Sequence, residues 1–284
     1  MEIINRRQRM ASISRKLRRD AKTVALVPTM GSLHEGHFAL INQARQMSDV
    51  VIVSIFVNPA QFNDQNDFDR YPKDLTSDAA MLTDHSVDYI FAPEAADIYT
   101  PGFKTFVYVE DFGEVLEGAS RPGHFRGVAT IITILFNTVR PDFAIFGQKD
   151  AQQLTVIRRL TQDLHYDIEI VAVSTVRESS GLALSSRNEL LAPDDRERAA
   201  VIYRSLQAAE KAYVNGERNA SKLTQMVENE LAKEPAALVD YVAVVDPQTL
   251  EPLGKSIETQ GLVTVAASFG KVRLIDNVLL SEKQ

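Results

Sequence analysis

Cysteine is absent from this sequence of 284 residues. Its absence excludes disulfides, thiolate metal ligands and a cysteine nucleophile, and it fits a reducing compartment. No apolar run reaches the roughly 18–20 residues that a membrane-spanning helix needs, so we expect no membrane segment. The basic stretch at residues 1–20 lacks the apolar core of a secretory signal. Together these absences predict a cytoplasmic protein.

Several common catalytic motifs are also missing. The sequence contains no Walker A string, no Gly-x-Gly-x-x-Gly, no nucleophile elbow and no Ser-His-Asp order. P-loop kinases, dinucleotide-dependent dehydrogenases and serine hydrolases are recognised by such motifs. The sequence therefore does not favour any of these three classes of enzyme.

Positive charge is in short supply, since the formal net charge is −7. A net negative protein repels nucleic acid and anionic membranes. The exception is a basic cluster between Arg6 and Arg19, which we interpret as the solvated face of a first helix with Ile4, Ile13 and Leu17 turned inward. A nucleic-acid arm or a transit peptide is the alternative, but no aromatic residue interleaves the charges for base stacking. We expect no nucleic-acid partner.

The order of the predicted elements indicates the fold class. From Thr23 to about Val176, short β-branched runs alternate with helical stretches, which predicts a parallel sheet covered by helices on both faces. The fold class is therefore α/β, a doubly wound (Rossmann-like) sheet. The predicted strands are Val24–Pro28, Val50–Val57, Tyr89–Ala92, Thr105–Val109, Phe143–Phe146 and Ile168–Val173, and the predicted helices lie near Gly36–Ser48, Leu75–Thr83, Gly127–Val139 and Ala151–Leu164.

A second, smaller α+β domain is predicted after Asn188, so the boundaries are 1–188 and 189–284. Ala192-Pro193-Asp194-Asp195 is a helix-start signal with no strand before it. Helices at about 193–214 and 220–232 should lead into an antiparallel sheet of the strands 239–245, 262–268 and 272–277. Residues 269–271 are a hairpin turn in this interpretation.

The string Pro28-Thr29-Met30-Gly31-Ser32-Leu33-His34-Glu35-Gly36-His37 directly follows the first strand. Ligands bind at such strand ends in open α/β sheets. Two imidazoles three residues apart at a helix N-terminus suit a phosphate, because free N–H groups and the positive end of the helix dipole lie beside them. A zinc site of the His-Glu-x-x-His type needs a spacing of four. Two histidines that merely cap the helix remain an alternative.

Two further strings carry cations. Gly147-Gln148-Lys149-Asp150 follows the strand at 143–146, where Lys149 offers a point charge for phosphate and Asp150 an acceptor for ribose hydroxyls. An N-capping Asp150 beside a solvated lysine is the alternative. Ser185-Ser186-Arg187-Asn188 at the predicted boundary supplies hydroxyls and a guanidinium, which suit a phosphate clamp on a hinge.

Three segments have the composition of substrate walls or mobile loops. Asn58 and Gln61 follow the buried second strand, and their neutral amides suit a polar, uncharged part of a ligand. The string 121–128 is interpreted mainly as a packed loop and a helix start. The acidic loop 63–74, with Asp64, Asp67 and Asp69, is interpreted as a solvated lid rather than a metal site.

The chain as a whole resembles the pantothenate synthetases, ATP-dependent ligases that join pantoate to β-alanine. The matching strings occur in the family's order over most of the chain and are PTMGSLHEGH at 28–37, FVNPAQF at 56–62, YP at 71–72, RPGHFRGV at 121–128, FGQKDAQQL at 146–154, SSRN at 185–188 and RLIDN at 273–277. His-x-Gly-His alone would indicate only the wider nucleotidyltransferase superfamily.

The resemblance implies a reaction through pantoyl adenylate, with Mg²⁺ held mainly by the phosphates of ATP. His37, His34, Lys149 and Arg187 would be catalytic, His37 as the proton donor, while Gln61, Gln153 and Asn58 would bind pantoate and Gln61 would also lie near β-alanine. Domain 1–188 would bind ATP and pantoate, domain 189–284 would serve as a lid and dimer domain, and the protein would be a homodimer. The implied ATP-binding residues are Met30, Gly31, Ser32, Leu33, His34, Glu35, Gly36, His37, Gly147, Gln148, Lys149, Asp150, Val176, Leu184, Ser185, Ser186 and Arg187.

Two other functions stay open at this point. One is a different His-x-Gly-His nucleotidyltransferase, which moves AMP onto a phosphorylated acceptor and needs a second phosphate pocket. The other is a nucleotide-binding sensor without turnover.

Overall fold

The computed structural model describes residues 1–281, and within them six parallel strands form the larger sheet. The strands are β1 (Glu2–Ile4), β2 (Val24–Thr29), β3 (Val50–Ile55), β4 (Tyr89–Phe91), β5 (Phe143–Gly147) and β6 (Glu169–Val173). Their spatial order is β1-β4-β3-β2-β5-β6. The strands that follow β2 are added first on one side of it, as β3 and β4, and then on the other side, as β5 and β6. The order of strand addition therefore reverses between β2 and β5, and open α/β sheets bind ligands at such a switch point.

Helices cover both faces of this sheet. They are α1 (Arg7–Arg19), α2 (Glu35–Met47), α3 (Gln65–Arg70), α4 (Leu75–Leu82), α5 (Ala95–Ile98), α6 (Glu117–Ser120), α7 (His124–Val139) and α8 (Ala151–Asp163). Along β2, Val24 and Leu26 belong to one apolar cluster with residues of α1, α7 and α8, whereas Ala25 and Val27 belong to a second cluster with residues of α2 and α4. The predicted doubly wound α/β class is confirmed.

One predicted strand is wrong. Residues 105–109 form no strand, and the main-chain N–H of Val107 instead donates to Thr130 Oγ1 of α7 at 3.0 Å. The position beside β4 is taken by β1, which pairs Ile3 with Ile90. This three-residue strand was not predicted, and because it fills the place beside β4, the 105–109 segment has no ladder to join there.

The C-terminal part is an α+β unit, as predicted. Its helices are α9 (Pro193–Ala199), α10 (Val201–Val214) and α11 (Ala220–Leu231), and its antiparallel strands are β7 (Leu238–Val245), β8 (Gln260–Phe269) and β9 (Val272–Ser281). Gly270 and Lys271 join β8 to β9 at the expected hairpin. The apolar faces of α10 and α11 pack on this sheet, with Leu206, Leu223 and Val265 fully buried.

The chain divides into two compact units, one of residues 1–148 and 152–174 and the other of residues 149–151 and those from 175 onward. The change along the chain thus falls after Ser174, whereas the predicted boundary lay after Asn188. Residues 175–188 belong to the second unit, where Arg177 forms paired hydrogen bonds with Asp276 of β9. Among the residues that the structure describes, no helix is long and apolar enough to cross a membrane.

Candidate active site

The loop after β2 is held in shape by a buried carboxylate of α4. Asp78, 3% exposed, accepts hydrogen bonds from the main-chain N–H groups of Ser32 at 3.0 Å and Leu33 at 2.9 Å. Gly31 has φ +83°, and a Cβ placed on it would lie 2.6 Å from Asp78 Oδ2. Ser32 also adopts a positive φ of 55°. The loop can pass Asp78 this closely only with glycine at position 31.

The two histidines of this loop lie together at the start of α2. Their ring centroids are 4.2 Å apart. His34 Nδ1 accepts from the Gly36 N–H at 3.1 Å, and His37 Nδ1 accepts from the His34 N–H at 3.2 Å. The capping role considered from the sequence is thus present. Because both Nδ1 atoms are acceptors, the proton of each neutral ring lies on Nε2, which is the nitrogen that can donate to a ligand.

A network of amides lies at the carboxyl end of β3. Asn58, 1% exposed, caps the short 3₁₀ helix Pro59–Gln61 by accepting from the Ala60 N–H at 3.2 Å. Its Nδ2 donates to Gln61 Oε1 at 3.0 Å and to the Gly127 carbonyl at 3.1 Å. The Gln61 Nε2 atom lies 2.9 Å from the sulfur of Met30. The structure therefore brings Met30, Asn58 and Gln61 of the predicted site into contact.

The start of α7 packs against this amide network. His124 Nδ1 is 2.8 Å from the carbonyl oxygen of Gln61. A Cβ on Gly127 would lie 2.3 Å from the carbonyl oxygen of Ala60, so the helix approaches the 59–61 turn as closely as a glycine permits. In the 121–128 string, residues 121–123 are thus a loop and residues 124–128 are the start of α7, buried except at Arg126. This agrees with the interpretation as mainly a packed loop and a helix start.

The two adjacent glutamines of α8 differ in burial. Gln152 is buried, and its Nε2 donates to the carbonyls of Phe112 and Val115, both at 2.8 Å, while its Oε1 accepts from the Glu117 N–H at 3.0 Å. Gln152 therefore braces the irregular segment at 112–117. Gln153, the predicted pantoate-binding residue, is half-buried on the same helix.

Of the remaining predicted residues, Gly147 and Gln148 belong to the first unit at the end of β5, and Lys149, Asp150, Val176 and residues 184–187 belong to the second. Lys149 Nζ lies 3.6 Å from Asp150 Oδ1, and the Lys149 carbonyl accepts from Asn277 Nδ2 at 2.9 Å. The Leu184 N–H donates to the Val176 carbonyl at 2.9 Å. Ser185 Oγ accepts from the N–H of Arg187 at 3.3 Å, which fixes the start of the 3₁₀ helix Ser186–Leu190.

The RLIDN string at 273–277 has a structural role that the sequence did not reveal. The guanidinium of Arg177 donates to Asp276 Oδ1 at 3.0 Å and also contacts Oδ2 and the ring of Tyr203. Arg177 and Ala183 form an isolated antiparallel bridge directly before the 184–187 string. Asp276 and Asn277 thus hold both cation-bearing segments of this unit, one through Arg177 and one through Lys149.

Two other features bear on the predicted site. A cavity of about 300 Å³ in the first unit is lined by Met30 and Asp78 together with residues such as Phe56, Phe68 and Lys73. In the acidic loop, Asp64 caps α3 by accepting from the Asn66 N–H at 2.8 Å. Among the side chains that the structure describes, which leave out those of Gln65 and Asp67, no group of three or more histidine, aspartate and glutamate residues is arranged to hold a metal ion.

The sheet and the paired histidines together indicate a class of protein. A parallel α/β sheet with a His-x-Gly-His helix start at its switch point is typical of a nucleotide-binding α/β protein.

Comparison with known proteins identifies the family. Residues 2–279 match the model of the pantoate-β-alanine ligase family. A pantothenate synthetase of Thermotoga neapolitana is 48% identical over 280 residues, which are 99% of this chain and 100% of that protein. The crystal structure of pantothenate synthetase from Thermus thermophilus has a TM-score of 0.93 at 41% identity, covering 99% of this chain and 100% of that one. This chain belongs to the pantoate-β-alanine ligase family, and the resemblance found in the sequence is confirmed.

A third relative was crystallised with ligands. It is a pantoate-β-alanine ligase from Francisella tularensis, complexed with β-γ ATP and β-alanine. Its TM-score is 0.80 at 36% identity, and the match covers 98% of this chain and 97% of that one. The roles of individual residues in this chain stay predictions.

Proposed function

We propose that this protein condenses pantoate with β-alanine to make pantothenate, and that it does so through pantoyl adenylate. The observation that carries the proposal is the family match over residues 2–279, at 48% identity to a pantothenate synthetase. The ATP and β-alanine named for the Francisella relative support the same substrates. ATP would enter with Mg²⁺ on its phosphates, as part of the substrate.

The proposed chemistry has two steps. A carboxylate oxygen of pantoate attacks the α-phosphorus of ATP, and the bond to pyrophosphate breaks. The amine of β-alanine then attacks the acyl carbon, the amide bond forms, AMP leaves with the carboxylate oxygen, and the amine gives up its proton. Charge builds on the α-phosphate and on the departing pyrophosphate, so prepositioned cations and N–H donors are what the first step needs.

The residues predicted from the sequence would supply those groups. The Nε2 atoms of His34 and His37 would donate to phosphate oxygens, with His37 the more directly involved in proton transfer. Lys149 and Arg187 would supply positive charge to the phosphates. Gln61 and Gln153 would bind pantoate. The segment from residue 189 onward would act as a lid that excludes water, because hydrolysis wastes an acyl adenylate. A homodimer and a cytoplasmic location are further proposals, which the family resemblance and the cysteine-free sequence support.

Isotope exchange between ATP and pyrophosphate tests the proposal. We expect exchange that depends on pantoate and needs no β-alanine, followed by AMP and pantothenate formation once β-alanine is added. Exchange that requires a phosphorylated acceptor instead of pantoate would indicate another nucleotidyltransferase. ATP binding without exchange under any condition would indicate the sensor.

A further inference from the structure

Asn58 has every hydrogen-bonding position of its side chain occupied by protein groups. Its Oδ1 accepts from the Ala60 N–H at 3.2 Å and from the hydroxyl of Tyr99 at 2.6 Å. Its Nδ2 donates to Gln61 Oε1 at 3.0 Å and to the Gly127 carbonyl at 3.1 Å. Two donated and two accepted bonds complete the capacity of an amide that is 1% exposed. Asn58 therefore acts on other protein groups rather than on the ligand.

The main chain decides which way this amide faces. An N–H can only donate and a carbonyl can only accept, so Ala60 requires the oxygen of Asn58 and Gly127 requires its nitrogen. Reversing the amide would place oxygen against the Gly127 carbonyl and nitrogen against the Ala60 N–H. The main chain on both sides therefore fixes the orientation of the Asn58 amide.

The orientation passes from Asn58 to Gln61. Because Asn58 Nδ2 is a donor, it must face the oxygen of Gln61, and the NH₂ group of Gln61 then points elsewhere. That group lies 2.9 Å from the sulfur of Met30, a weak acceptor that uses little of its hydrogen-bonding strength. The Gln61 side chain consequently presents a donor, and a ligand at this position must offer an acceptor oxygen.

Tyr99 contributes the other bond to Asn58 from a position 41 residues away in sequence. It is half-buried after α5, with its ring 5.0 Å from that of Phe103 in a near-perpendicular packing. Burial raises the pKa of Tyr99 to about 12, so the hydroxyl keeps its proton at neutral pH and can donate.

We propose that Tyr99 is a positioning residue that acts through Asn58 to hold Gln61 with its NH₂ group toward an oxygen of pantoate. The inference rests on the proposed function, since it assigns the polarity of a contact to that substrate. The Gln61 NH₂ group in this orientation favours a carboxylate or hydroxyl oxygen of a hydroxy acid over a ligand group that can only donate a hydrogen bond.

The test is Tyr99→Phe, which removes one hydroxyl, with Tyr108→Phe as the matched control. The Tyr108 hydroxyl also forms a 2.6 Å bond, to Glu114, but on an exposed segment. In pantoate-dependent ATP–pyrophosphate exchange, Tyr99→Phe should raise the KM for pantoate about 3- to 10-fold, which corresponds to the loss of one hydrogen bond. The KM for ATP should change by less than about 2-fold. The control should change neither constant. All assays are run at a temperature well below the thermal unfolding midpoint of each variant.

A double-mutant cycle separates positioning from a general structural effect. In a Gln61→Ala background, Tyr99→Phe should add little further loss in kcat/KM for pantoate, because the group it orients is gone. Full additivity, or equal changes in the KM values for ATP and pantoate, would overturn the inference. If the unsubstituted protein shows no pantoate-dependent exchange, the proposed function itself fails, and that outcome is distinct from an unchanged KM in an active Tyr99→Phe variant.

Discussion

At the scale of single residues, the conformation of the histidine loop depends on one buried carboxylate. Asp78 receives two main-chain N–H groups, from Ser32 and Leu33, and leaves no room for a side chain at position 31. The loop runs directly into the two histidines that cap α2. A carboxylate that accepts two N–H bonds fixes a loop more strongly than neutral groups would, since bonds to a charged group are worth about 1.5–3 kcal/mol each.

Substituting Asp78→Asn should therefore disturb the proposed ATP site. The amide keeps one acceptor but turns an NH₂ group toward a main-chain N–H. We expect kcat/KM for ATP to fall roughly 10- to 100-fold, equivalent to about 1.4–2.8 kcal/mol. Steady-state kinetics would measure this change. The control is Asp84→Asn, at an exposed position on the following turn. It should change the free energy of unfolding by no more than about 0.5 kcal/mol. An Asp78→Asn enzyme with the parental ATP kinetics would refute this role.

At the scale of elements, the segment before the Ser-Ser-Arg string is held by an ion-pair network within the second unit. Glu178 accepts from Arg196 of α9 at 2.8 Å and from Asn188 Nδ2 at 2.9 Å. Asn188, 2% exposed, also donates to the Ala183 carbonyl at 3.0 Å. Asn188, the residue after Arg187, thus anchors the segment, whereas the Arg187 side chain is exposed.

This network predicts a pH dependence of stability. Hydrogen bonds from Arg196, joined by one from Asn188, hold the pKa of Glu178 below its ordinary value of 4.5. A carboxyl whose folded pKa is depressed stabilises the fold above its unfolded pKa and loses that contribution as pH falls through the folded pKa. Glu178→Gln should therefore lower the free energy of unfolding by about 1 kcal/mol at neutral pH.

Urea unfolding at neutral pH and at values falling below 4.5 would measure the difference between Glu178→Gln and the unsubstituted protein. The difference should shrink as pH falls, because both side chains are then neutral. Glu197→Gln, at an exposed position of the same helix, is the control and should have little effect. A difference that stays constant or widens on acidification would contradict the account.

Local patterns predicted most of the elements, since β-branched runs and three-four apolar spacing are contained within each segment. Local patterns could not predict contacts between residues that are far apart in the sequence. The strand predicted at 105–109 fails because the distant β1 occupies the place beside β4. Asp78 and Tyr99 each act on residues more than 40 positions away, and neither lies in a string that marks a site. Asn58 was predicted from its place after β3, but its bonds depend on the contact of α7 with the 59–61 turn.

At the scale of the whole molecule, each of the two compact units contains some of the predicted site residues. The histidine loop, Asn58, Gln61 and Gln153 belong to the first, and Lys149 and the 184–187 string belong to the second. The fold and the family are settled over nearly the full chain. The central claim that extends beyond them is chemical, namely that pantoate is activated as an acyl adenylate.

The most direct measurement follows the carboxylate oxygens of pantoate. In the proposed sequence, a pantoate oxygen forms the new bond to the α-phosphorus, and the later attack by β-alanine breaks the bond on the carbonyl side. Pantoate labelled with ¹⁸O in its carboxylate should therefore transfer one labelled oxygen to AMP in each turnover, as read by mass spectrometry of the nucleotide. Three results would contradict the adenylate route: unlabelled AMP with the label in pyrophosphate, ADP with the label in phosphate, or label found only in the amide product and water.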